Sequence, residues 1–247
     1  MVEITVKIMK IIFLMILLTL ISILYRSSTV YALTGVTTER VITIVGAPSE
    51  PPPIFSPSPN SSSIPSGPFT FFCQKDTRWS GTPYACESIA AAGCGPTSFA
   101  MVLSSFGKDY NPTQAGKLMS DKGFATCGSG SRMEYMLQIR SFLNSIGLDP
   151  TDALTKSGQL DADLANKYLN PIDPKDKYLI IGSSARFPSC NCNHIFVVEG
   201  YNPDNQTITV RDPVNCTNDG QERATGRSYP INSFNWLYAY GLKKIGS

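Results

Sequence analysis

The sequence predicts an α+β domain, and three observations carry that expectation. Met136, Ile139, Leu143 and Ile146 follow one another at steps of three, four and three, the spacing of one helix face. Beyond about residue 178 the pattern changes to short runs rich in β-branched and aromatic residues, bounded by turn formers. Hydrophobic residues make up 42% of the 247, and aromatics 10%. That supply is enough for a core and excludes a wholly disordered chain.

Taken in order, Phe69–Phe72 reads as a short strand leading into Gln74. Gly95-Pro96 followed by Thr97–Phe106 reads as a helix, because proline suits the first turn and Gly107 the stop. Asn111-Pro112 opens a second helix that ends at Gly123. Residues 132–146 form a third, amphipathic helix closed by Gly147, and Leu160–Leu169 a fourth. Strands follow at Tyr178–Gly182, His194–Tyr201 and Thr207–Asp212.

The amino terminus has a different character. Lys7 and Lys10 precede a nearly apolar run from Ile11 to Tyr25, the length of a signal-peptide core and short for a membrane span. Val30-Tyr31-Ala32 places small residues where a signal peptidase reads. Residues 1–32 are therefore expected to be a signal peptide cleaved after Ala32, or an uncleaved transmembrane anchor. Either way the body lies outside the cytoplasm, secreted or held at the membrane or wall. Gly46 to Pro68 holds eight prolines and seven serines in 23 residues, so residues 33–68 are expected to form an extended tether. The folded domain spans 69–247.

Charge narrows the function. The formal net charge is +2. Residues 1–32 hold Lys7, Lys10 and Arg26 against Glu3, so the remainder sums to zero. A neutral body lacks the basic face a nucleic-acid binder needs. One histidine rules out sites that require two. Seven cysteines in an exported chain point to disulfides with one thiol left over.

Gly93-Cys94-Gly95-Pro96-Thr97-Ser98 places a cysteine at a helix start, where free backbone N–H groups and the helix dipole favour the thiolate. The same stretch could instead hold a buried structural cysteine or half of a disulfide. His194 opens the strand His194-Ile195-Phe196-Val197-Val198-Glu199-Gly200-Tyr201. A hairpin centred on Asp204 pairs residues whose numbers sum to about 408, which puts His194 and Asp212 on one face. An imidazole beside a carboxylate is what a general base needs. The same register sets Cys192 opposite Cys216, predicting a cross-strand disulfide. A competing arrangement has Cys190, Cys192 and His194 bind zinc with Cys216 or Cys127, although C-x-C-x-H is an uncommon zinc spacing.

Together these residues resemble the bacteriocin-processing (double-glycine leader) cysteine peptidases, in their stand-alone form. Cys73-Gln74-Lys75-Asp76-Thr77-Arg78-Trp79 is similar to their Q-x-D-x-x-W opening, and Gly93 to Met101 to their nucleophile helix. His194 to Tyr201 resembles the H-x-h-V-V-x-G-Y strand, and Arg211-Asp212-Pro213 the D-P that follows. The resemblance implies a papain-like fold with Cys94 as nucleophile, His194 as general base, Asp212 as its orienting acid and Gln74 as oxyanion donor. It implies no cofactor and no metal, and a peptide or protein substrate. The insert Ser80 to Ala92, longer than in transporter-fused relatives, is expected on the cleft rim. A peptidoglycan endopeptidase or amidase on the same fold, or a non-catalytic binding module, would share these motifs.

Overall fold

The protein is described here by a computed structural model covering residues 69–217, 219–223 and 226–246. The expected export segment (1–32) and tether (33–68) lie outside the described residues. Among the described residues no helix is long and apolar enough to cross a membrane.

The expected strand at Phe69–Phe72 does not form. Side chains pin Phe69–Phe72 instead: Arg211 stacks its guanidinium 4.9 Å from the Phe69 ring, the Thr70 N–H donates to Ser105 Oγ at 3.0 Å, and Phe72 meets Trp79 edge-on. The insert then folds as a two-stranded hairpin, β1 (Pro83–Tyr84) and β2 (Glu87–Ser88), running into the single turn α1 (Ile89–Ala92). Its tip, Ala85-Cys86, has φ of 52° and 67°, a left-handed turn built without glycine. A disulfide from Cys86 to Cys127 ties that tip down.

Helix α2 (Cys94–Ser105) begins at the cysteine itself, three residues before the expected Thr97, with Pro96 in its first turn. Helix α3 (Pro112–Asp121) carries a capping box: Asn111 Oδ1 accepts from the Gln114 N–H, and Gln114 Oε1 from the Asn111 N–H. A small hairpin, β3 (Ala125–Thr126) and β4 (Gly130–Ser131), follows. The expected single helix over 132–146 is broken at Ile139 into α4 (Met133–Gln138) and α5 (Arg140–Ser145). Side chains flanking the break reach the sheet, Gln138 to the Tyr240 hydroxyl and Arg140 to the Pro150 carbonyl. Tertiary contacts thus override the local periodicity.

The second half is a six-stranded antiparallel sheet, so the α+β layout is present. Its strands are β5 (Leu148–Ala153), β8 (Leu179–Ser184), β9 (His194–Asn202), β10 (Thr207–Arg211), β11 (Arg227–Pro230) and β12 (Trp236–Lys244). They are ordered β11-β10-β9-β8-β12-β5. Between β5 and β8 come a short hairpin, β6 (Thr155–Lys156) and β7 (Gln159–Leu160), and helix α6 (Ala162–Leu169), which Asp161 caps. Strands β5, β11 and β12 were not expected.

Alternation divides the sheet between two apolar layers. Ile195 and Val197 of β9 face the helices with Phe99, Val102 and Leu103 of α2. Phe196 and Val198 face the other way, into a layer with Phe187, Phe234 and Trp236. Helix α2 crosses close to β9: the Ser98 hydroxyl donates to the Ile195 carbonyl at 3.2 Å. A Cβ on Gly95 would run into the Ser131 side chain and meet Ile195 at 3.5 Å, and one on Gly93 would strike the Ile89 carbonyl. Glycine on both sides of Cys94 is therefore what lets β4, β9 and α1 converge on the helix start.

Candidate active site

Cys94 is the first residue of α2, and Gly93 before it offers no side-chain cap. The first N–H groups of the helix are therefore free of intrahelical partners and surround the sulfur with positive partial charge. All seven cysteines are among the described residues, and Cys94 alone is outside a disulfide. It sits half-buried at the floor of an open cleft of about 340 Å3 that His194 also lines.

His194 opens β9, opposite Ser184. The β9–β10 hairpin holds the predicted register at its far end: Val210 pairs with Val198 and Arg211 with Val197, both summing to 408, after a one-residue shift at Thr209/Val210. His194 Nε2 lies 2.7 Å from Asp212 Oδ1, and the two residues are 5% and 2% exposed. The Val214 N–H also donates to Asp212 Oδ1, at 2.9 Å, so the carboxylate is held from a second direction. With Nε2 engaged, Nδ1 is the ring nitrogen left to hydrogen-bond Cys94. Buried Phe187 meets the imidazole edge-on with centroids 4.8 Å apart.

Burial by itself pushes His194 toward the neutral form. The Asp212 hydrogen bond and the contacts with Cys94 outweigh it and raise the pKa to about 9. A folded pKa above the unfolded 6.5 means the folded state binds the proton more tightly. The associated stabilisation is fully present below about pH 6.5 and is lost as pH rises through about 9. Melting temperature should therefore fall across that window, and His194→Gln should remove that fall. A flat profile in the unaltered protein would refute the pairing.

Gln74 is buried at 4% exposure and lies outside the cleft lining. Its backbone N–H donates to the Pro213 carbonyl at 2.7 Å, and its Nε2 to the Ala90 carbonyl at 2.8 Å, while Oε1 has no partner. An amide nitrogen has two hydrogens, so one is not engaged by the Ala90 carbonyl. The surrounding motif is architectural. The Trp79 indole donates to the Cys73 carbonyl at 2.6 Å, and Arg78 clasps buried Asp76.

The expected Cys192–Cys216 disulfide is corrected. Cys216 is bonded to Cys73, and Cys192 to Cys190. Strand β10 ends at Arg211; Pro213 has no N–H for a ladder, and the Asn215 N–H turns back to the Asp212 carbonyl. The chain therefore swings away from β9 before Cys216. These disulfides, with Cys86–Cys127, occupy every cysteine of the competing zinc arrangement.

The insert Ser80 to Ala92 reaches the cleft as expected, through Glu87, Ala91 and Ala92. Sequence reasoning missed Gly128–Ser131 of the β3–β4 segment, which line the cleft beside Ala92. Asn193, Ser183, Leu237 and Tyr238 form the sheet side. The small-residue run after Cys127 was the one available signal; β12 left none.

A family model described as the Peptidase_C39 like family matches residues 68–243, well over half of the chain. Among solved structures, the peptidase domain of Streptococcus ComA, a bi-functional ABC transporter involved in a quorum sensing pathway, is similar at 17% identity and a TM-score of 0.41. The match covers 62% of this chain and 93% of that one. A comparison with curated proteins gives no match.

Proposed function

The chain belongs to the Peptidase_C39-like family and is a cysteine peptidase of α+β, papain-like fold, and from that premise we propose that residues 69–247 cleave peptide bonds through Cys94, His194 and Asp212. The supporting observation is the buried His194–Asp212 pair, at 2.7 Å, beside the one unpaired thiol at a helix start.

In the proposed reaction the Cys94 proton rests on His194 Nδ1, the protonated form its raised pKa favours, and the thiolate attacks the substrate carbonyl. The oxyanion is met by the Cys94 N–H and the remaining Nε2 hydrogen of Gln74. His194 then protonates the departing amine, leaving a thioester on Cys94. Water, deprotonated by the same imidazole, hydrolyses the thioester and restores the thiol. Asp212 fixes the tautomer and balances the imidazolium. An extracytoplasmic site of action is part of the proposal, and the three disulfides support it.

Iodoacetamide treatment followed by peptide mapping tests the assignment. Modification is expected at Cys94, with activity lost in step. Labelling elsewhere, or activity surviving full modification of Cys94, would overturn it.

A further inference from the structure

The cleft walls differ in chemistry. Among the described residues lining it, the one ionisable side chain apart from His194, Cys94 and Tyr238 is Glu87, and there is no lysine or arginine. Glu87 takes part in none of the ion pairs among the described residues. Its backbone position is nonetheless fixed. It pairs with Tyr84 across the insert hairpin, and its neighbour Cys86 is covalently tied to Cys127, next to Gly128 of the cleft lining. Glu134 adds negative charge near Tyr238, while the adjacent Arg132 stacks on the Tyr135 ring at 4.9 Å.

The sheet side is apolar at its edge. Leu237 is 49% exposed at an irregularity of strand β12, between the paired residues Trp236 and Tyr238, and it lines the cleft. Few large apolar residues are so exposed among the described ones, and a leucine on a cleft wall is placed to be covered by something apolar.

We propose that Glu87 and Leu237 select the substrate: a peptide that sets a lysine or arginine side chain against the insert wall and an apolar side chain against the sheet side. The inference deepens the proposed function and rests on Cys94 being the nucleophile. Glu87 stands in solvent, so its attraction for a cation is modest and screened by salt. It acts as a selector between peptides rather than as an anchor.

The test uses tripeptidyl chloromethyl ketones in which lysine replaces norleucine at each position in turn, with Cys94 alkylation followed by intact mass. At one position lysine should react about 2–5-fold faster than norleucine at low ionic strength. That ratio should fall toward one near about 0.5 M salt. Glu87→Gln should abolish the preference by bringing the lysine peptide down to the norleucine peptide's rate, and Glu87→Lys should reverse it. Leu237→Ser should slow peptides bearing leucine at a second position by about 5-fold relative to alanine peptides. A lysine preference that survives Glu87→Gln, or a leucine preference that survives Leu237→Ser, overturns the inference. Iodoacetamide carries no side chain to be selected. If it labels Cys94 while the peptides show no preference, only the selectivity has failed; if it leaves Cys94 untouched, the nucleophile assignment itself has failed.

Discussion

Cys94→Ala is expected to remove peptide-bond cleavage altogether, a loss of at least about 10⁴-fold in kcat, because the covalent intermediate of the proposed reaction forms on its sulfur. The same substitution should scarcely alter folding. Cys94 is half-buried and outside every disulfide, and alanine suits a helix start. Peptide affinity should persist, since the cleft walls are unchanged. His194→Ala should cost about as much, and the double variant little more than either, since the two groups act as one unit. Asp212 offers a graded case. Asp212→Asn keeps an oxygen able to accept from both the His194 ring and the Val214 N–H. It should therefore retain more activity than Asp212→Ala, which leaves two buried donors without partners. Turnover assays alongside thermal melts check the set. Substantial activity in Cys94→Ala would refute the mechanism.

The largest stability effect is expected on removing the Cys73–Cys216 disulfide. It spans 143 residues. Loop-closure entropy on that scale corresponds to about 5 kcal/mol, at the top of the usual range. Against a typical domain stability of about 5–15 kcal/mol, that loss is severe. The paired change Cys73→Ser with Cys216→Ser avoids a stray thiol and should sharply lower the denaturant midpoint. Cys190–Cys192, separated by two residues, should contribute only about 1–2 kcal/mol by the same relation. Equal midpoint shifts for the two would show that the long bond does not act through the unfolded chain.

Local signals made much of the site legible. Pro96 and the flanking glycines marked the helix that starts at Cys94, and Asn111-Pro112 marked a capped start. Period-two alternation was enough to place His194 and Asp212 together, because parity survives small errors of register. Other features depended on partners remote in sequence. Strand β5 reads Leu-Asp-Pro-Thr-Asp-Ala, a turn by composition; it pairs because it lies at the sheet edge, where Pro150 needs no N–H to donate. Strand β12 lies between β8 and β5 and is buried along most of its length, so it shows no alternation to read. Disulfide partners were hidden because spacing alone does not determine connectivity.

The bond from Cys73 to Cys216 also determines how a mechanical pull would enter the domain. Tension applied through the chain before Cys73 is passed at once to Cys216, a few residues past the end of β10, without crossing the insert or the helices. The helical half, with Cys94 at its front, is thereby bypassed, and the insert cannot be peeled off from that end. A stretched chain would leave the thiol and its cleft walls slack, with the strain carried by a covalent link and the sheet behind it.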